Sequence, residues 1–220
     1  LRGRGAAGCR YLRTPVPDPV GPDWRAERDR VAAEKPRILL VGHLKGVVTL
    51  EGLRTFAREI LPRLERALGP DGFEVRVAGG YDAPPELLRL LDRPSVRLLG
   101  HVEGAEEEFK SAHVLLVPNS ISLGVRVRVV TAFSFGTAVV SHEANARGIP
   151  ELDHGTNALI GRSGKALADE VLRAVADGGL RRRIEAGARD TYERLFAPEV
   201  SVGEIAETLA RIRSAVPAAR

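Results

Sequence analysis

The sequence has no methionine, one cysteine, one tryptophan and only four lysines against 29 arginines. With Cys9 alone, an intrachain disulfide framework and a Cys-rich zinc site are excluded. No run of 18 apolar residues occurs, which excludes a transmembrane helix. The lack of methionine fits an internal piece of a longer protein, and no secretory signal is visible at this N-terminus. Scarce lysine beside abundant arginine and alanine points to GC-rich coding rather than selection for phosphate contacts.

The chain has 220 residues, 44% hydrophobic and 28% charged. That suits one soluble domain with a core of its own. The net charge of +4 and pI of about 9.6 suggest nucleic acid at first sight. The charge is local, however. Arg2, Arg4, Arg10 and Arg13 lie in residues 1–13 with no acid, so the remainder is neutral. No nucleic-acid partner is expected.

Residues 14–23 carry Pro15, Pro17, Pro19 and Pro22, which oppose helix and favour an extended linker. A short helix is expected over Trp24–Lys35. From Arg37 onward, short apolar runs alternate with helical patterns. Strands are expected at Arg37–Val41, Glu74–Ala78, Val96–Leu99, Val114–Val117, Ala138–Ser141 and Ala158–Ile160. Helices are expected at Thr49–Leu68, with Thr49 as N-cap, and at Pro85–Leu91, Ala105–Ala112 and Arg128–Phe135. Three more are expected at Lys165–Ala176, Leu180–Leu195 and Val200–Ile212. This alternation predicts an α/β fold: a doubly wound, mainly parallel, Rossmann-like sheet. Ligands of such sheets bind at the carboxyl ends of the strands. Here those ends are 42–46, 79–82, 100–104, 118–125 and 141–151.

Several familiar motifs are missing. The first turn, Gly42-His43-Leu44-Lys45-Gly46, is not a Gly-x-Gly-x-x-Gly dinucleotide fingerprint. Gly161-Arg162-Ser163-Gly164-Lys165-Ala166 lacks the first glycine and the hydroxyl of a P-loop. There is no Gly-x-Ser-x-Gly elbow. The five histidines show no metal-ligand spacing, and His113 reads as a core-edge residue. No cofactor or metal is expected.

Two segments remain. Lys45, flanked by Gly46 before a helix, suits a diphosphate, although a solvated turn lysine has the same sequence. In Asn119–Arg128 a polar loop runs through Gly124 into a helix that starts with Arg126 and Arg128. Cations at a helix N-terminus oppose its dipole by a few tenths of a kcal/mol or more, unless an anion compensates or they turn to solvent.

Taken in order, these segments resemble the C-terminal, donor-binding domain of GT-B glycosyltransferases of group 1 (family 4). That family has a Lys-Gly-Val-x-x-Leu turn, similar to Lys45-Gly46-Val47-Val48-Thr49-Leu50. Its Gly-x-Arg-x-Lys segment resembles Gly124-Val125-Arg126-Val127-Arg128. Its Glu-Ala-Met/Phe-Ala-x-Gly, Pro-Val-Val-Ser and Pro-Glu-Leu stretches resemble Thr131–Gly136, Thr137–Ser141 and Pro150-Glu151-Leu152. The likeness spans about Arg37 to Arg213.

The resemblance implies a nucleotide-diphosphate-sugar site of UDP or GDP type. Lys45 would hold the diphosphate, with Arg126 and Arg128 near the phosphates or sugar. The Ser122–Val125 amides, including those of Ser122 and Gly124, would lie near the pyrophosphate. His43, Thr131 and Glu151 complete the expected set, and Glu151 reads equally well as a structural cap. Many members carry two glutamates seven residues apart where this chain has Leu123 and Thr131. The implied organisation is 1–35 as an N-terminal-domain remnant and linker, with a strand over 8–14. Residues 36–198 form the donor domain and 199–220 a crossover helix and tail. The acceptor would be bound mainly by the missing N-terminal domain, so this piece should bind donor but not turn over. The expected location is the cytoplasm, with any membrane association supplied by the missing part. A non-catalytic nucleotide-sugar-binding or scaffold relative, and an epimerase-like protein on the same architecture, remain alternatives.

Overall fold

The structure, a computed structural model, describes residues 11–31, 34–80 and 83–215. Six parallel strands form one sheet in the order β3-β2-β1-β4-β5-β6. They are β1 (Arg37–Val41), β2 (Glu74–Ala78), β3 (Val96–Gly100), β4 (Val114–Val117), β5 (Ala138–His142) and β6 (Leu159–Gly161). All strand neighbours run parallel in the Rossmann-like arrangement the sequence predicts.

The central strands β1, β4 and β5 are short and largely apolar because both faces are covered. Ile38, Leu40, Val75, Val77, Leu116 and Val140 share one core with α2 (Val47–Thr55), α3 (Leu61–Leu68), α4 (Pro85–Leu91) and α7 (Gly164–Ala176). Leu39, Leu115, Val117 and Val139 point the other way. They pack with α5 (Glu106–Ser111), α6 (Val127–Ser134) and α8 (Gly178–Leu195). Alternate residues of β1 thus serve opposite cores, the period-2 geometry of a strand.

Before β1 lie a 3-10 turn at Gly21–Asp23 and α1 (Trp24–Val31). After α8 comes α9 (Pro198–Ala215). The long helix after β1 opens into one π turn, Phe56–Ile60, between α2 and α3. Pro62 supplies the reason: it has no N–H to give the Arg58 carbonyl and its ring crowds that group.

Several boundaries differ from expectation. Thr49 is not an N-cap: α2 starts at Val47 with Gly46 at the cap and no side-chain capping bond. The α6 helix starts at Val127, which makes Arg126 its cap residue. Ser163 and Asp177 cap α7 and α8 by accepting from the Ala166 and Leu180 N–H groups, so both helices start earlier than predicted. Of the strand expected over 8–14, residues 8–10 lie outside the described residues, and 11–14 form no strand. Tyr81 and Asp82, in the expected 79–82 loop, also lie outside them.

The linker is docked. Arg189, 3% exposed, donates to Asp18 at 2.5 and 3.0 Å, to the Gly21 carbonyl at 3.0 Å and to the Ser134 carbonyl. The Tyr192 hydroxyl donates to the Val16 carbonyl at 2.8 Å.

Candidate functional site

Strand order reverses between β1 and β4, and the crevice at that reversal is where open parallel sheets hold ligands. Its walls are the turn after β1, the start of α2, and the β4–α6 loop. Gly42, Thr49, Gly52, Pro118, Asn119 and Arg128 line it.

Arg128 is the central cation. Its guanidinium donates to the Asn119 Oδ1 at 2.5 Å. Among the described residues no carboxylate pairs with it, whereas most of the described arginines have one. Burial, with Arg126 beside it, pulls the Arg128 pKa down to about 10. It stays charged at neutral pH, but its environment is short of negative charge. A Cβ on Gly42 would sit 2.8 Å from Arg128 Nη1, so the backbone after β1 closes directly on the guanidinium.

Asn119 holds Arg128 in place. The Asn119 side chain, 2% exposed, also donates to the Val48 carbonyl at the start of α2. Gly52 permits that approach, since a Cβ there would lie 2.5 Å from Asn119 Nδ2.

Arg126 is fixed by Asn145. Its Nε donates to Asn145 Oδ1 at 3.2 Å and its Nη2 to the Ile121 carbonyl at 2.8 Å. Burial lowers the Arg126 pKa, and the nearby Glu51 charge opposes that shift. Asn145 is buried, and its amide donates to the Val117, Asn119 and His142 carbonyls and to Ser141 Oγ. It ties the ends of β4 and β5 together. Glu51 on α2 accepts from the Ser120 N–H at 3.1 Å and the Ser120 hydroxyl at 2.7 Å.

The loop between presents unspent donors. Among the described residues, the N–H groups of Ser122, Leu123, Gly124 and Val125 have no acceptor. Gly124 has φ +63°, a left-handed conformation that favours glycine. The loop is braced from behind, because a Cβ on Gly148 would lie 2.2 Å from the Gly124 carbonyl oxygen. Free amides, a helix start and two arginines together concentrate positive potential on this side of the crevice. Beside it lies a mostly apolar hollow of about 270 Å³, lined by Gly42, His43, Gly80, His101, Val102 and Ala105.

Of the residues predicted from sequence, Arg128 lines this crevice, Ser122, Gly124 and Arg126 lie on the loop leading into α6, and His43 lines the neighbouring hollow. Lys45 lies exposed on the turn at its mouth. Thr131 sits one turn further along α6. Its hydroxyl donates to the Val127 carbonyl at 3.1 Å, and it faces a separate pocket shared with Val16, Pro17 and Phe109. Glu151 is engaged by the linker, with Arg13 at 2.7 Å and the Tyr11 hydroxyl at 3.3 Å. Leu123 is 65% exposed on the loop. Sequence reasoning missed Asn119, Asn145 and Glu51, each of which has a partner 19 to 71 residues away. Among the described residues no group of three or more His, Cys, Asp or Glu is placed to hold a metal ion. Nor is any helix among them long and apolar enough to cross a membrane.

A six-stranded parallel sheet whose order reverses between β1 and β4 defines a Rossmann-like α/β domain. Comparison supplies the family. The chain belongs to the group 1 glycosyl transferases, whose family model matches residues 35–177. No curated protein sequence matches it. Its fold is that of GT-B glycosyltransferases. Anabaena HepE, solved in complex with UDP, superposes with a TM-score of 0.74 at 16% identity, over 92% of this chain and 57% of that one. A glycosyltransferase from Rickettsia africae gives 0.70 at 14% identity, over 89% and 55%. The C-terminal domain of the group 1 protein LpcC from Francisella tularensis gives 0.61 at 16% identity, over 85% of this chain and 97% of that domain. The chain therefore spans little more than half the length of the larger structures it matches.

Proposed function

We propose that this domain binds the donor of a glycosyltransferase, a nucleotide-diphosphate sugar of UDP or GDP type. It serves transfer of the sugar, a hexose, to an acceptor hydroxyl. The observation that carries the reading is Arg128, a cation that pairs with no carboxylate among the described residues, seated by Asn119 at the switch point beside four loop amides without an acceptor. The diphosphate lies against Arg128, Arg126 and the Ser122–Val125 amides, with Lys45 at the mouth. The base takes the apolar hollow by Val102 and Ala105. As the glycosidic bond breaks, the leaving nucleoside diphosphate gains negative charge, and these fixed cations and N–H groups stabilise it. The complex of HepE with UDP supports this choice of ligand.

Residues 36–198 are the donor domain in this account, with 1–35 and 199–220 joining it to an acceptor-binding domain of a cytoplasmic protein. The 220-residue chain then binds donor without turnover. A second reading, a binding relative without transferase activity, is favoured by Leu123, an exposed apolar side chain where many members carry a glutamate. The two readings separate on one assay. Sugar transfer by this domain joined to an acceptor domain supports the enzyme, and binding without transfer supports the relative. Calorimetric titration of UDP and GDP tests the binding claim common to both. Saturable heat at millimolar nucleotide or below is the expected result, and none with either nucleotide removes the proposal.

A further inference from the structure

At the opposite, amino-terminal edge of the sheet, a polar cavity of about 320 Å³ opens between α1, the end of α5 and the first turns of α8. Arg25, Arg28, Arg181 and Arg182 line it, and Glu185 and Asp29 are the acids of its wall. Glu185 serves three guanidiniums at once: Arg25, Arg28 at 2.9 Å and Arg181 at 3.7 Å. Asp29 reaches Arg182 at 3.7 Å. Lys110, also in the wall, is balanced from outside it by Glu107 at 3.4 Å and Glu27 at 3.8 Å.

Four guanidiniums therefore face two carboxylates, an excess of two positive charges. Arg28 is buried and spends its N–H groups on the Phe109, Lys110 and Ala112 carbonyls, the Thr137 hydroxyl and Glu185. Arg181 and Arg182 are less committed. Arg181 gives one N–H to the Ala174 carbonyl at 3.1 Å, and the Arg182 side chain is 65% exposed. Both sit in the first turns of α8, an 18-residue helix capped by the Asp177 carboxylate, so the positive excess of the cavity comes from the guanidiniums rather than from the helix start.

We infer that this cavity is a second anion seat, which takes a phosphate dianion, free or as a phosphomonoester. A dianion cancels the excess of two charges, and guanidinium forks match phosphate oxygens two at a time. His113 in the same wall registers the field. Burial, then Arg181 and Arg28, push its pKa down to about 4. Its Nδ1 accepts from the Arg37 N–H at 3.1 Å, which places the proton of the neutral ring on Nε2, a further donor. The seat lies a strand length from the Arg128 crevice, roughly 15 Å at about 3.3 Å per residue. It stands whether or not the donor reading holds.

The test is amide chemical-shift mapping of the 220-residue chain. Inorganic phosphate and glycerol phosphate are titrated separately at constant ionic strength. Saturable shifts are expected at Lys110, Ser111, Ala112, His113, Arg181 and Arg182, and they persist in Arg128→Ala. Arg182→Glu, at an exposed position, weakens them at least tenfold without lowering Tm, and Arg181→Gln adds to the loss. Equal response to both ligands assigns the seat to the phosphate group itself, and a stronger response to glycerol phosphate assigns it to esters. Loss of these shifts in Arg128→Ala, their persistence in Arg182→Glu, or no saturable shift by tens of millimolar phosphate overturns the inference. Shifts here with none around Arg128 would leave this seat intact and count against the donor site instead.

Discussion

Arg128 and Asn119 are joined by a 2.5 Å hydrogen bond from guanidinium to side-chain amide oxygen. Nine residues apart in sequence, they bring the N-terminus of α6 against the loop after β4. The amide is neutral, so the bond orients the cation without cancelling its charge. This arrangement suits an arginine kept for an external anion.

Removing that cation should cost binding rather than folding. Arg128→Ala is expected to weaken UDP or GDP by about 1–3 kcal/mol, the range for a hydrogen bond to a charged group or an orphaned buried one. Among the described residues Arg128 has no carboxylate to leave unpaired, so the ligand-free Tm should fall by no more than the loss of the one Asn119 bond. Thermal melts with and without nucleotide check both halves. A large fall in the ligand-free Tm would assign Arg128 to the core.

Asn119 depends on the space left by Gly52. Gly52→Ala puts a Cβ 2.5 Å from Asn119 Nδ2 and forces that amide off the Val48 carbonyl. Overpacking of this kind destabilises by about 1–3 kcal/mol, more than a helical alanine recovers. Denaturant titration should show the loss, and nucleotide affinity should fall with it. A neutral or stabilising result would mean that Asn119 has another seat.

His113 makes stability depend on acid. Its pKa is depressed from 6.5 to about 4 in the folded state, first by burial and then by Arg181 and Arg28. The unfolded chain then binds the proton more readily between those values, so stability falls as pH drops from about 6.5 to about 4. Below that window both states are protonated and this contribution is flat. His113→Asn keeps an acceptor for the Arg37 N–H and cannot titrate. Denaturation free energies at pH 7 and pH 5 should differ less in that variant than in the parent, and an unchanged difference would put the acid sensitivity elsewhere.

The linker is held by Arg189. Arg189→Met leaves Asp18 without its cation and the Ser134 and Gly21 carbonyls without that donor. Breaking a buried pair by removing one partner costs about 3–5 kcal/mol, and the partial exposure of Asp18 favours the lower end. Limited proteolysis at the proline-rich segment should accelerate alongside the drop in stability. Proteolysis at the parent rate would show that Tyr192 and the Val16 contact suffice.

Much of the frame was legible in the sequence. Arg37–Val41 and Val114–Val117 fall where their apolar runs placed them, because a strand buried on both faces leaves a nearly unbroken hydrophobic signal, and Glu74–Ala78 falls where expected although Glu74 and Arg76 alternate with its buried residues. Helix starts were harder. Thr49 has the residue type of a cap, yet the turn after β1 is so short that the helix begins at Val47. The cations at the crevice could be named from a glycine loop leading into a helix. Their supports could not: Asn119 and Asn145 look like ordinary loop amides until the fold sets them against Val48 and Arg126. Glu151 is recognisable by its segment alone, but its engagement by Arg13 depends on the path of the linker.

The most direct test of the central claim is a pair of calorimetric titrations with UDP and GDP, on the parent chain and on Arg128→Ala. The account predicts saturable binding of at least one nucleotide to the parent. It predicts affinity lower by about fivefold or more in the variant, the equivalent of about 1 kcal/mol. Equal affinity in both, or no binding to a folded parent chain at millimolar nucleotide, would contradict it.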